Sequence, residues 1–221
     1  MKQSVQQDLR YRPLYSLREV SRYARVKPAT LRSWTHNGDS RVIFPADVSG
    51  VAPFSFINLI ELYVLEGLRR THRLPMQRIR KGEEWLRQTY GVSYPLAELN
   101  LETDGYDLFI REVDIPINAS RKGQSGFPEV LARYLQRIER DAGNIPKRFY
   151  PYTYDRAPKI IVMDPAVAYG RPVVVGTRVT SQMIFDRYSG GESLNDIAAD
   201  YDLDISRIEE ALRCEIERIA A

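Results

Sequence analysis

Gly170-Arg171-Pro172-Val173-Val174-Val175-Gly176-Thr177-Arg178-Val179 sets a β-branched run between turn formers. The run Val173 to Val175 predicts one short strand, bounded before by Gly170 and Pro172 and closed by a turn at Gly176-Thr177. Thr180-Ser181 then offers caps for a helix through Met183, Ile184 and Tyr188, ended by Gly190-Gly191. Ser193-Leu194-Asn195-Asp196 is a capping box with Asp in the acidic place, opening a helix to about Tyr201. Asp204 can cap a third helix, in which Ile208, Leu212, Ile216 and Ile219 recur on one apolar face. A short strand and three helices joined by tight turns predict a tri-helical, helix-turn-helix-like unit.

The whole chain has 221 residues and 43% hydrophobic content, enough for one core or two small ones. No apolar run is long enough to span a membrane, and the polar start Met1 to Gln7 lacks a signal-peptide core. Cys214 is the single cysteine, which excludes an internal disulfide and suits a reducing, cytoplasmic setting. His36 and His72 are the two histidines. One Cys and two distant His suggest no zinc cluster and no thiol–imidazole pair, so neither metal nor cofactor is expected. Asp155, Asp164, Asp186 and Asp196 have no metal-binding spacing either, and the chain is not expected to be an enzyme.

Charge is uneven along the chain. Residues 1–90 hold 16 Lys and Arg against 8 Asp and Glu, a balance of +8. Residues 91–191 hold 13 against 12, and residues 192–221 hold 3 against 9. A basic first third and an acidic tip imply two different partners, the first of them polyanionic.

Residues 1–13 are polar and read as a disordered lead-in, with Pro13 blocking a helix. Ser16 and Glu19 form a capping box for a helix with Leu17, Val20, Tyr23 and Ala24 on its apolar face. Arg25-Val26-Lys27 is a short turn and Pro28 suits the first position of a second helix. Leu31 and Trp34 face inward there, while Lys27, Thr30, Arg32, Ser33 and His36 face outward and Asn37-Gly38-Asp39 ends the helix. Two such helices around a three-residue turn make a helix-turn-helix, whose second helix enters the major groove. Arg18 and Arg25 add to the basic face, and Arg41-Val42-Ile43-Phe44-Pro45 is a candidate wing strand that would bring Arg41 to phosphates.

Ser55 to Arg73 reads as a long amphipathic helix, and Pro75 opens another that Gly91 stops after Tyr90. Glu98 to Glu102 and Tyr106 to Ile110 alternate around Asp104-Gly105, a hairpin signal. Ala119 to Gly126 is loop-like, and a helix is expected from Pro128 to Ala142. The run from Arg148 to Tyr154 carries Tyr150, Tyr152 and Tyr154, either a strand entering the C-terminal unit or an exposed interface strap. Ile160-Ile161-Val162 is a further strand.

Two resemblances add function. Y-S-L-R-E-V-S-R-Y-A-R-V-K-P-A-T-L-R-S-W is similar to the MerR-like winged helix-turn-helix, with T-L-R-x-W on the recognition helix. G-x-P-x-V-x-G-T-R-V, with G-G-E-S, I-A-x-D-Y and I-x-x-A-L, resembles an uncharacterised prokaryotic domain of VapB-type antitoxins, over roughly Ile160 to Ala221. Members of that family are encoded beside PIN-like toxins, which are metal-dependent ribonucleases. Together the two resemblances imply an antitoxin that covers an acidic toxin site with its C-terminal unit and binds its own operator DNA with its N-terminal unit. Because one recognition helix offers little specific area, a homodimer on an inverted repeat is expected.

Candidate DNA contacts are therefore Arg18, Arg25, Lys27, Thr30, Arg32, Ser33, His36 and Arg41. Candidate toxin contacts are Tyr150, Tyr152, Tyr154, Arg171 and Arg178. Arg178 has an equal alternative, fixing its own turn through backbone carbonyls. Glu209, Glu210, Glu215 and Glu217 make the last helix a poor groove reader and assign it to protein contacts. The expected fold is mainly α with small β elements: a winged helix-turn-helix over 14–95, a hairpin and helix connecting region over 96–143, and the strand with its tri-helical unit over 144–221. The alternative function is a stand-alone transcription regulator whose C-terminal unit dimerises or senses a ligand.

Overall fold

A computed structural model describes residues 8–36, 41–47, 49–72, 76–99, 129–151 and 158–220. The chain is mainly helical with small β elements. It divides into two compact units, Met1–Pro146 and Lys147–Ala221.

In the first unit, helices α1 (Leu17–Tyr23) and α2 (Pro28–His36) form the predicted pair. The Ser16 hydroxyl accepts the Glu19 amide while the Glu19 carboxylate accepts the Ser16 N–H at 2.8 Å, a complete capping box. The turn between them carries Arg25 at φ 58, and the Ser21 hydroxyl donates to the Val26 carbonyl. Val20, Tyr23, Ala24, Leu31 and Trp34 are buried. Segment 41–45 is not the expected wing strand. The Val42 and Ile43 amides both donate to the Trp34 carbonyl, at 2.9 and 3.2 Å, so the segment folds back on the end of α2 with no ladder partner among the described residues.

Helix α3 (Phe56–His72) is the axis of this unit. It is buried on every side from Phe56 to Leu65, rather than amphipathic, because α1, α5 (Pro95–Glu98) and α6 (Glu129–Leu135) all pack on it. Ser55 and Asn58 cap it reciprocally. The Asn58 amide donates to Ser55 Oγ and the Ser55 amide to Asn58 Oδ1, both at 3.1 Å. The fully buried Asn58 side chain also accepts the Ala46 N–H at 3.1 Å and donates to the Phe44 carbonyl at 3.0 Å. One amide thus ties segment 44–46 to the axis.

Helix α4 (Met76–Tyr90) ends at Gly91, which takes φ +65. It brings the buried Glu83 towards the buried Glu61 of α3. Burial and mutual repulsion push Glu61 well above the usual carboxylate range, and burial pushes Glu83 up to about 8, against the opposing pull of Arg87. Such a pair stabilises the fold most below the ordinary value of 4.5, and that contribution is lost as pH rises towards 8. Glu83→Gln removes one ionisation. It is expected to raise unfolding stability by about 1–3 kcal/mol at pH 8, with little change at pH 4.5, in denaturant titrations at both pH values.

Three other expectations change here. The disordered lead-in does not extend through residues 8–13. The Asp8 side chain caps the turn Leu9–Tyr11, Arg10 pairs with Asp8 and with Asp141 at 2.5 Å, and the Tyr11 hydroxyl donates to Glu98 at 2.7 Å. Glu98 lies in a helical turn that Leu99 closes, rather than in a strand, and residues 100–110 of the proposed hairpin, with the loop 119–126, lie outside the described residues. The helix expected to reach Ala142 stops at Leu135, and the short strands β1 (Ile138–Arg140) and β2 (Pro146–Phe149) follow. The cause is turn chemistry: Asp141 Oδ1 accepts the amides of Gly143 and Ile145, both at 2.9 Å, and Asn144 takes φ 62.

The second unit holds β3 (Ile161–Val162) and β4 (Val173–Val174), antiparallel with Ile161 opposite Val174 and Val162 opposite Val173. Helices α7 (Ser181–Ser189), α8 (Leu194–Tyr201) and α9 (Ile205–Ala220) follow, with Thr180 and Ser193 capping the first two. Ile161 and Val174 pack on Ile184, Ile197, Ile208 and Leu212. Ile216, expected in this core, is 52% exposed; Ala211, Cys214 and Glu215 take the inward face of α9 instead. The Glu215 carboxylate accepts the buried Ser181 hydroxyl, and buried Glu210 pairs with Arg213 at 2.8 Å. These two glutamates therefore serve the fold and cannot meet a partner. No helix among the described residues is long and apolar enough to cross a membrane.

Candidate functional site

The β3–β4 ribbon has two faces because successive side chains alternate. Ile161 and Val174 face the helices. Val162 and Val173 join Tyr150 on the other side, with Val167, Ala168 and Val175 packed against them. Over this second cluster opens a cleft of about 580 Å³, lined by Arg148, Tyr150, Val162, Asp164, Val167, Val173, Val175, Gly176, Thr177 and Arg178.

The two arginines of the cleft differ. Arg148 Nε donates to Asp164 Oδ2 at 3.1 Å, and Asp164 is buried, so this cation and this carboxylate offset each other. Arg178 is exposed and has no side-chain partner among the described residues. Its turn is fixed by its neighbours. Gly176 takes φ +83, the Thr177 hydroxyl donates to the Val174 carbonyl at 2.9 Å, and Thr177 Oγ1 accepts the Val179 amide at 3.0 Å. Arg207 on α9 supplies a further bond to a backbone carbonyl of the turn, reaching the Val175 oxygen at 2.7 Å. The turn-fixing alternative for Arg178 is thus carried out by Thr177 and Arg207.

Of the other predicted toxin contacts, Arg171 is exposed and lies outside the cleft lining. Tyr150 is buried, with the Lys159 ammonium 5.0 Å from its ring, and forms cleft floor rather than an exposed strap. Tyr152 and Tyr154 lie outside the described residues. The sequence reading passed over Arg148 and Asp164 as a pair. The Asp164-Pro165 dipeptide, a turn starter, was the available signal.

In the first unit, Arg18, Lys27, Arg32 and Ser33 are exposed, Thr30 and Arg25 are half-buried, and the His36 side chain lies outside the described residues. Arg41 sits over the Phe44 ring at 4.4 Å, and Arg87 approaches the same ring at 5.0 Å. Arg41 is therefore held by a stacked ring instead of a wing strand. No group of His, Cys, Asp and Glu among the described residues has the arrangement of a metal site.

The family described as "Protein of unknown function (DUF433)" matches residues 161–213, the ribbon and most of the helical unit. The whole chain is 30% identical to "Putative antitoxin VapB45" of Mycobacterium tuberculosis (strain ATCC 25618 / H37Rv), covering 90% of this chain and 92% of that protein. The chain belongs to the VapB-type antitoxin family. A second relative from the same organism, "Uncharacterized protein Rv2308", is 26% identical over 91% of this chain and 89% of its own length. The crystal structure of Rv2018 from Mycobacterium tuberculosis superimposes with a TM-score of 0.71 at 31% identity, covering 91% of this chain and 98% of that one. These matches extend over both units and are not confined to the DUF433 segment.

Proposed function

We propose that this chain is the antitoxin of a type II toxin–antitoxin pair, holding a PIN-like ribonuclease through its second unit and its own operator DNA through its first. The observation that carries the reading is the exposed Arg178, without a side-chain partner among the described residues, in the lining of a cleft whose other arginine is already neutralised. A cation placed so is available to enter a carboxylate-lined metal site and neutralise it without any chemistry. The long match to an antitoxin of this family supports the same reading. Co-expression with the product of the neighbouring reading frame, followed by pull-down, tests it. A stable complex with suppressed ribonuclease activity is expected. A neighbour with no ribonuclease activity and no complex would favour the stand-alone regulator instead.

DNA binding rests on the helix pair, the first of them closed by a capping box, and on the exposed Lys27 just ahead of α2 and Arg32 and Ser33 on it. The operator partner would be met by a homodimer, with half-sites about one helical turn apart, roughly 34–36 Å. Arg32→Ala is expected to weaken operator binding by about 1–3 kcal/mol if it reads a base edge. If it touches phosphate, affinity falls for all sequences and the salt slope shrinks by about one unit. Electrophoretic shift titrations at several salt concentrations separate the two, and unchanged binding removes Arg32 from the interface.

A further inference from the structure

Asp164 organises an unusual turn beside the cleft. Its Oδ1 accepts the Ala166 amide at 2.9 Å and its carbonyl accepts the Val167 amide at 2.8 Å, while Oδ2 holds Arg148. The chain then passes through three successive left-handed residues, Ala168 at φ 45, Tyr169 at φ 54 and Gly170 at φ 71. The amides of Gly170 and Arg171 close the turn on the carbonyls of Val167 and Ala168, at 2.9 and 3.2 Å. Only the last of the three is a glycine. A left-handed conformation at a residue with a Cβ is disfavoured, and it persists where surrounding contacts over-determine it. Here Asp164 and the packing of Val167 and Ala168 on the cleft floor do so.

The consequence is the placement of Tyr169, which is 82% exposed, with neither an aromatic neighbour nor a hydrogen bond for its hydroxyl among the described residues. A ring so exposed buries little apolar surface in the fold. Tyrosine is a preferred anchor at protein interfaces, because it offers a large rigid surface at small entropic cost. We infer that Tyr169 is the aromatic anchor through which the second unit docks its protein partner, inserting into an apolar depression flanked by carboxylates that meet Arg171 and Arg178. This rests on the antitoxin reading above and names the chemistry of that partner's surface. Charge favours a protein over a nucleic acid: residues 147–221 hold 10 Lys and Arg against 12 Asp and Glu, a poor balance for a polyanion.

The test uses the full chain with Tyr169→Gly and Tyr169→Phe, and Arg178→Ala as a reference. Each is titrated calorimetrically with the purified product of the neighbouring reading frame, and its thermal unfolding is recorded. Tyr169→Gly should unfold at a higher temperature, since glycine adopts this backbone freely, yet bind about 30-fold or more weakly. Tyr169→Phe should bind within a few-fold of the unaltered chain. A residue serving only the fold would move stability and affinity in the same direction. If Arg178→Ala weakens the complex and Tyr169→Gly does not, the anchor is overturned while the antitoxin reading stands. If the unaltered chain binds nothing, both fall. Loss of oligonucleotide binding by Tyr169→Gly, with the protein complex unaffected, would make the partner a nucleic acid and overturn the inference.

Discussion

Arg178→Ala is expected to weaken toxin binding by about 2–5 kcal/mol, the cost of leaving buried carboxylates of the partner without their cation. The second unit should keep its fold, because Gly176, Thr177 and Arg207 hold the turn without Arg178. Circular dichroism and thermal unfolding should match the unaltered chain, and calorimetric titration should show the loss. Arg178→Lys is expected to recover only part of the affinity, since a point charge lacks the planar fork that meets a carboxylate with two donors. A fall in melting temperature equal to the fall in affinity would restore the turn-fixing role instead.

Asn58→Ala is expected to have the largest effect on stability, about 2–4 kcal/mol. The substitution leaves the Phe44 carbonyl and the amides of Ala46 and Ser55 without their side-chain partner, and removes half of the cap on the axial helix α3. Segment 44–46 should then loosen, and with it the Phe44 ring on which Arg41 sits. Operator binding should therefore weaken at temperatures where α1 and α2 remain folded. Urea denaturation gives the first quantity and shift assays at low temperature the second.

The strand at Val173 and its three helices were legible because each boundary carried its own local signal: Gly176 for the turn, Thr180 and Ser193 as caps, and Gly190-Gly191 as a stop. The same holds for α1 and α2, where Ser16 and Glu19 mark the start of the first helix and Pro28 the start of the second. What was not legible depends on distant partners. Glu61, Asn58 and Glu83 look like polar faces of amphipathic helices until α3 is packed on all sides. Glu210 and Glu215 look like an acidic surface, yet Arg213 and Ser181 take them into the core. The helix proposed through Ala142 failed for a local reason, the Asp141 turn, whose Asp-Ala-Gly-Asn chemistry the apolar spacing of Tyr134, Leu135 and Ile138 overrode.

The candidate site was half visible. Arg178 stood out in the decapeptide, but its availability follows from Arg148 being spent on Asp164, sixteen residues further along the chain. The strained turn that presents Tyr169 has no sequence signature beyond Asp164-Pro165 and Gly170, because the left-handed conformation of Ala168 and Tyr169 is imposed by the bonds of Asp164 and by the cleft floor.

The central claim is a division of labour between the units, and a crossed titration on the full chain tests it most directly. Arg32→Ala and Arg178→Ala are each measured against operator DNA and against the purified toxin. Arg32→Ala is expected to lose affinity for DNA and keep the toxin, while Arg178→Ala keeps DNA and loses the toxin. Loss of toxin binding by Arg32→Ala, with Arg178→Ala unaffected, would contradict it.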